Sequence, residues 1–325
     1  ATGWLVGEEN KGLRAMFTMM NEARLGVAIQ GLSQSEAAYK NAAHYAKERL
    51  QGRALTGAKA PDQPADPIIV HGDVRRMLMD IRVFNEAARG LIAEAALQAS
   101  VAARSSDDAQ IQSANDHLDL LTPVLKGVLT DTGFANAVKA QQVFGGHGYI
   151  TENGMEQFVR DARITMLYEG TSGIQAMDLV GRKLARNGGR AIIAFMGEID
   201  ESLKRHQKTE TLAPLTTALK SGRDDLEAAT VWFMNNAMAR PDHAGAGAHD
   251  YMHLLGLVAL GHMWLRMAAT ALEKLGEDGS DKPYMNAKLV CARYFSARRL
   301  PQTSTHLARI KAGADPVMAL ADEEF

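Results

Sequence analysis

The sequence has very little cysteine and almost no excess charge, and both shortages exclude classes of protein. Cys291 is the only cysteine, so an intramolecular disulfide framework is excluded and a reducing, cytoplasmic location is expected. Because a reactive thiol needs an activating environment, we interpret Cys291 as a small helical residue and not as a nucleophile. The formal net charge of -2, from 36 basic and 38 acidic residues, gives no electrostatic argument for binding nucleic acid.

A long uninterrupted apolar run is also missing. The most apolar stretch, 251–272, contains His253, His262 and Arg266, whereas a membrane-spanning helix needs about 20 nearly uninterrupted apolar residues. We therefore expect a buried helix there and no membrane span. The first residue is not methionine and the turn-like residues 7–12 follow soon after, so we expect a fragment that begins within a domain.

Strand-like alternation is absent after residue 8, whereas helical spacing is common. Ile81, Phe84, Ala88 and Leu91 recur at steps of three and four residues, which places them on one helix face. The sequence therefore predicts a mainly α fold. Segments rich in glycine, proline or small polar residues predict connections at 52–67, 104–110, 144–154 and 240–249.

The letters RNGG at 186–189 predict a helix C-cap, because glycine accepts the left-handed backbone that such a position needs. We place a domain boundary there. A second antiparallel helical unit is expected beyond it, with helices near 191–208, 212–239, 248–276 and 282–311. Met252, Leu257 and Trp264 are expected to pack as core or as a dimer surface.

Several polar motifs admit a structural and a functional interpretation. The glycines of FGGHGY at 144–149 could bring backbone N–H groups to a phosphate, but the pattern is neither a dinucleotide fingerprint nor a P-loop. Arg49, at a predicted helix end, suits the helix dipole or a diphosphate. Glu169, just before a predicted helix, is explained by the dipole alone. His249 and His253 could share a helix face, but no third ligand is evident, so no metal site is expected.

Three segments favour the functional interpretation when they are read together. They are ERLQGRAL at 48–55, QQVFGGHGYITENGMEQFVRDARI at 141–164 and LYEGTSGIQ at 167–175. In this order they resemble the C-terminal half of an acyl-CoA dehydrogenase, from about residue 3 to residue 187. The extra sequence around 97–122 and beyond 188 resembles the larger branch of that family, which includes 3-methylmercaptopropionyl-CoA dehydrogenase.

The resemblance implies a division of the chain into three parts. Residues 1–8 are expected to be the tail of the family's middle β domain, and 9–187 its C-terminal four-helix bundle. Residues 188–325 are then an additional C-terminal helical domain. On this basis the N-terminal half of the family's fold is missing from the chain.

Glu169 falls on the family's catalytic glutamate, within the signature Tyr-Glu-Gly-Thr at 168–171. In that role the carboxylate removes the α-proton of an acyl-CoA thioester while the β-hydrogen leaves as hydride to flavin N5, which gives a trans-2-enoyl-CoA. The substrate-binding residues that the resemblance implies are Arg24, Tyr168 and Gly170.

The resemblance also implies contacts with FAD. The residues expected to make them are Arg49, Gln51, Gln142, Gly145, Gly146 and Thr171. Gly173 departs from the family, in which a glutamine that touches the flavin nucleotide is common at this position. We expect the flavin to lie where ERLQGR of one subunit meets FGGHG of another, so that a homodimer or homotetramer forms the site.

The resemblance further implies electron-transfer flavoprotein as the redox partner, and it leaves two alternatives. An acyl-CoA oxidase shares the fold and the base but lets oxygen reoxidise the flavin. A helical scaffold that kept the fold and lost the chemistry is the alternative that is not an enzyme. The presence of Glu169, Arg49 and the glycine turn in one chain weakens the scaffold alternative.

Overall fold

The computed structural model describes residues 1–237 and 239–325, with all of their side chains except those of Arg14 and Thr18. Within this part of the chain there is no β-strand, only an isolated bridge between Leu50 and Pro67. The mainly α prediction is confirmed. Helices α1 to α6 are Gly12–Glu48, Gly72–Arg104, Asp108–Val143, Gly146–Tyr149, Met155–Thr165 and Ser172–Asp178. Helices α7 to α11 are Arg190–His206, Ala213–Asn236, Asp242–Leu275, Lys282–Arg298 and Gln302–Ala312.

The long helices α1, α2 and α3 pack against one another, and α5 packs on α1 and α3. Together they form the four-helix bundle that the resemblance implies. The connections between them follow the predicted breaks. The chain forms no helix from Leu50 to Pro67. Asp107 caps α3 by accepting hydrogen bonds from the backbone N–H groups of Ala109 and Gln110. A capping carboxylate satisfies donors that the first helical turn leaves free.

The predicted C-cap near residue 187 is confirmed. Asn187, Gly188 and Gly189 have φ values of 52°, 70° and 78°, and α7 begins directly afterwards at Arg190. Residues 1–8 lie outside any regular element and are exposed. Their assignment to a β domain, and the division of the chain at this boundary, stay predictions.

The second helical unit differs from its prediction in two places. The connection expected at 240–249 is wrong, because α9 already begins at Asp242. Ala248 is buried, and a Cβ added to Gly247 would lie 2.9 Å from the Phe233 ring, so the small residues serve close packing of α9 on α8. The helix expected at 282–311 is two helices, which end and begin on either side of Arg299–Pro301.

Helix α9 lies at the centre of the molecule. Met252 and Trp264 are fully buried, and the Trp264 indole N–H donates to the Val83 carbonyl oxygen at 3.0 Å, so α9 shares one core with the bundle. By length and composition alone α9 could cross a membrane, but 83% of its most apolar window is buried among the other helices. This agrees with the buried helix predicted for 251–272.

Candidate active site

Glu169 lies in the turn between α5 and α6 with an unusual backbone conformation. Its φ is 57°, in the left-handed region, and Gly170 follows with φ 87°. The other left-handed residues besides glycine, within the described part of the chain, are Asn10 and Asn187, and asparagine tolerates this region far better than glutamate. A residue such as Glu169 is strained by roughly 1 to 3 kcal/mol, so its surroundings must hold it there.

Side chains on two helices hold this turn through its carbonyl oxygens. The Gln175 side-chain amide donates to the Glu169 carbonyl oxygen at 3.1 Å. The Lys126 ammonium donates to the Gly170 carbonyl oxygen at 2.6 Å. Because Lys126 is on α3 and Gln175 is on α6, the turn is fixed from both sides. The backbone therefore sets the direction in which the half-buried Glu169 side chain leaves the turn.

Two hydroxyl groups complete the support of the turn. Ser172, the first residue of α6, donates its hydroxyl to Asp131 Oδ1 at 2.6 Å. The Thr171 hydroxyl accepts from the Ile174 backbone N–H at 3.3 Å and so caps α6. The family resemblance implies that Thr171 lies near the flavin, and the contact that the structure shows for its hydroxyl is this cap.

Lys126 is a site residue that sequence reasoning missed. Its side chain is completely buried, and burial lowers its pKa to about 8, although the Asp131 carboxylate acts in the opposite direction. The sequence carries a signal that could have found it. A single lysine lies in the apolar run LLTPVLKGVL of α3, and a buried charge needs a partner.

Arg24 and Tyr168 lie beside the same turn. Arg24 is buried and pairs with Asp178 at 3.4 Å, and a Cβ added to Gly170 would lie 3.8 Å from the Arg24 guanidinium. The Tyr168 hydroxyl donates to the Gln30 side-chain oxygen. The structure therefore brings the predicted substrate residues together, while their contact with a substrate stays a prediction.

A cavity of about 490 Å³ lies where α1 and α3 end. Five of the six residues expected to contact FAD line it: Arg49, Gln51, Gln142, Gly145 and Gly146. Thr171 is not among its lining residues. The expectation that ERLQGR of one subunit meets FGGHG of another is wrong in this respect, because both segments line one cavity within a single chain.

Aromatic contacts shape the wall of this cavity. The rings of Tyr45 and Phe144 stack with centroids 4.0 Å apart. The Tyr45 hydroxyl is hydrogen-bonded to His147 Nδ1 at 2.8 Å. These contacts connect the end of α1 to the glycine turn after α3, so the two sequence motifs are held next to each other.

The loop after α1 is folded around a buried carboxylate. Asp66 accepts hydrogen bonds from the backbone N–H groups of Ala54, Ala60 and Lys59, and from Arg53. These hydrogen bonds, of which the one from Ala54 has the largest effect, lower the pKa of Asp66 to about 2. The loop is thereby fixed next to Gln51, whose backbone N–H donates to the Asp66 carbonyl oxygen at 2.9 Å.

The donors on the cavity wall suit the diphosphate of a dinucleotide. Arg49 supplies a guanidinium, which binds phosphate oxygens in pairs. Gly145 has φ 58°, and nothing lies within 4 Å of where a Cβ would be on Gly145 or Gly146, so the backbone there faces open space. Glycine backbone of this kind lets an anion approach the N–H groups. The residues present therefore fit a bound dinucleotide.

Three side chains of types that can ligate a metal ion lie next to the Glu169 turn. His249 and His253 place their Nε2 atoms 3.2 and 3.0 Å from Asp131 Oδ2. The expectation that no third ligand accompanies the two histidines was wrong, because Asp131 comes from α3, which is far away in sequence. Burial alone would raise the pKa of Asp131, but hydrogen bonds from His249, His253 and Ser172 outweigh it and hold that pKa below its usual range.

Comparison with known proteins assigns the chain to a family. Residues 10–184 match the family described as acyl-CoA dehydrogenase, C-terminal domain, and residues 195–321 match acetyl-CoA dehydrogenase C-terminal like. The chain belongs to the acyl-CoA dehydrogenase family. It is 37% identical, over 98% of its length and 53% of the relative's, to 3-methylmercaptopropionyl-CoA dehydrogenase of Ruegeria pomeroyi. The chain spans about half the length of the curated relatives it matches.

Solved structures share the fold at low sequence identity. An acyl-CoA dehydrogenase of Bacillus anthracis complexed with FAD superposes with a TM-score of 0.73 at 16% identity, covering 94% of this chain and 50% of that one. Acyl-CoA oxidase 1 of Yarrowia lipolytica gives a TM-score of 0.68 at 16% identity, covering 93% of this chain and 46% of that one. Dehydrogenases and oxidases thus share this helical architecture.

Proposed function

We propose that this chain carries the catalytic base and part of the flavin site of an FAD-dependent acyl-CoA dehydrogenase. The observation that carries the proposal is the Glu169 turn. Glu169 has a strained left-handed backbone, which Gln175 on one side and Lys126 on the other hold in place. Strain of this kind is typical of a site that positions a reacting group.

Glu169 acts as the general base in this proposal. The α-proton of a thioester is only weakly acidic, so its removal needs a carboxylate that is held in place and a polarised carbonyl group. Bound FAD supplies the acceptor for the β-hydrogen, which no side chain can supply. Arg49 and the backbone of Gly145 and Gly146 bind and orient its diphosphate. The product is a trans-2-enoyl-CoA.

The first test replaces the base. In the full-length protein we expect Glu169→Gln to keep its FAD content but to reduce the rate of substrate oxidation about 100-fold to 10,000-fold, the usual contribution of a general base. Exchange of the substrate α-proton with deuterated solvent should fall in parallel. Glu273→Gln is the matched control, because Glu273 is an exposed glutamate near the end of α9. An unchanged turnover number in Glu169→Gln would remove Glu169 from the role of base.

Two alternatives are separated by simple measurements. An acyl-CoA oxidase would release hydrogen peroxide when substrate and oxygen are supplied, whereas the dehydrogenase proposed here should release little and should reduce electron-transfer flavoprotein. A helical scaffold without chemistry would purify colourless, or would keep its yellow colour when an acyl-CoA is added. Loss of the flavin absorbance on addition of substrate therefore supports the enzyme.

The assembly and the substrate belong to the same proposal. Trp4, Leu5 and Val6 are 71% to 84% exposed, and so large an apolar surface suits contact with another part of the enzyme or with a second copy. We propose a homodimer or homotetramer. A panel of thioesters, from short thioether-bearing chains to long straight chains, identifies the acyl group by the rate of flavin reduction.

A further inference from the structure

The histidine pair on α9 and the aspartate on α3 have the arrangement of a metal site. His249 and His253 are one helical turn apart, and their Nε2 atoms face the same oxygen of Asp131. The three possible ligand atoms all lie within 4.8 Å of one another. We propose that Asp131, His249 and His253 bind a divalent transition-metal ion of the zinc type.

The donor set and its spacing suit that ion. Two imidazoles and one carboxylate, with water as a fourth ligand, form a common tetrahedral zinc site, in which neighbouring ligand atoms are about 3.3 Å apart. The two Nε2 to Oδ2 distances here are 3.2 and 3.0 Å, so these two separations need to widen by only a few tenths of an ångström. Each histidine ligates as the neutral imidazole with its one ring proton on Nδ1, so that the Nε2 lone pair is directed at the ion.

The carboxylate is oriented before an ion arrives. Asp131 Oδ1 accepts the Ser172 hydroxyl at 2.6 Å, which leaves Oδ2 directed at the two histidines. A hydrogen bond of this kind to a ligating carboxylate is the usual support of a metal site. The Asp131 side chain is only 12% exposed, whereas that of His249 is 56% exposed, so the ion and its water reach the site from the His249 side.

The site joins two parts of the molecule. Asp131 belongs to the bundle and the histidines belong to the central helix of the second unit, so a bound ion cross-links α3 to α9. Through Ser172 the same carboxylate is attached to the turn that carries Glu169. A bound ion therefore fixes the second helical unit against the back of that turn.

Zn²⁺ itself is the probe. The full-length protein is stripped with a chelator, and its Zn²⁺ content after dialysis, its calorimetric titration and its unfolding temperature are measured. We expect one ion per chain and a higher unfolding temperature with Zn²⁺. His249→Ala and His253→Ala should each weaken binding about 100-fold, because even the loss of an outer-shell partner costs 10-fold to 100-fold.

Two further variants make the result specific. His44→Ala is the matched control: His44 is an exposed helical histidine whose Nε2 lies 3.3 Å from Glu48, but among the residues that the structure describes it belongs to no such trio. It should bind Zn²⁺ as the unmodified protein does. Asp131→Asn keeps the size of the side chain and should weaken binding as strongly as the histidine variants. Absence of stoichiometric binding by the unmodified protein, or unchanged binding in Asp131→Asn, overturns the proposal.

Discussion

At the residue scale, the turn before α6 and the start of α6 each contain a glycine, and the two glycines have opposite requirements. Gly170 has φ 87°, and a Cβ added there would lie 2.8 Å from the Gln175 side-chain amide that supports Glu169. Gly173 is inside α6, and the nearest atom to an added Cβ is the Thr171 hydroxyl oxygen at 3.9 Å. Neither the backbone conformation nor the packing therefore requires glycine at residue 173, where the family commonly has glutamine.

This contrast gives a prediction for a pair of alanine variants. Gly170→Ala should lower the free energy of unfolding by about 1 to 2 kcal/mol, because alanine is strained at positive φ, and it should lower turnover by displacing Gln175. Gly173→Ala should raise the free energy of unfolding by about 0.4 to 1 kcal/mol, because alanine restricts the unfolded chain. Denaturant unfolding measures both values. Changes of the same sign in the two variants would contradict this account of the turn.

The sequence predicted Glu169 and missed the groups that support it, for a physical reason. A signature motif is local, because its residues are adjacent in the sequence. Lys126 and Asp131 reach the turn from α3, about 40 residues earlier, and their contacts with Gly170 and Ser172 exist only in the folded chain. The third ligand to His249 and His253 was missed for the same reason.

At the scale of elements, helices α1 and α3 cross at glycine. A Cβ added to Gly31 would lie 2.7 Å from the Leu129 carbonyl oxygen, and one added to Gly133 would meet the backbone of Gly31. Backbone atoms in two packed helices cannot move aside as a flexible side chain can. The bundle that carries the base therefore depends on this close approach.

The crossing predicts opposite effects at two glycines of one helix. Gly31→Ala should lower the free energy of unfolding by about 1 to 3 kcal/mol, as overpacked substitutions do. Gly26→Ala, five residues earlier on the exposed face of α1, meets nothing within 4 Å and should raise it by roughly 0.5 to 1 kcal/mol. Equal effects in thermal and denaturant unfolding would show that the helices do not approach each other as closely as described.

The extent of the helices was largely predictable, since apolar periodicity and capping residues are local signals. The error at α9 came from treating glycine and alanine as signs of a connection. In the folded chain Gly247 and Ala248 are small because α8 packs against them, and a sequence pattern does not distinguish a flexible segment from a closely packed one.

At the scale of the whole molecule, the two helical units share a core that contains a buried histidine. His262 on α9 is hydrogen-bonded to the Ser202 hydroxyl of α7 at 2.8 Å. Burial, together with the smaller effects of the nearby charges of Arg266 and His117, lowers the pKa of His262 to about 4. The folded protein therefore keeps this imidazole neutral at a pH where the unfolded chain protonates it.

This difference predicts a loss of stability in acid. Between about pH 6.5 and pH 4 the unfolded state binds the extra proton, so the free energy of unfolding falls as the pH falls, by roughly 3 kcal/mol for a shift of this size. In His262→Gln that part of the loss should disappear. The decrease in its free energy of unfolding between pH 6.5 and pH 4.5 should therefore be smaller than that of the unmodified protein by roughly 2 to 3 kcal/mol. His44→Gln, at an exposed histidine, should follow the unmodified protein. If His262→Gln instead loses stability in acid as steeply as the control, the buried neutral imidazole is not the cause of the pH-dependent loss of stability.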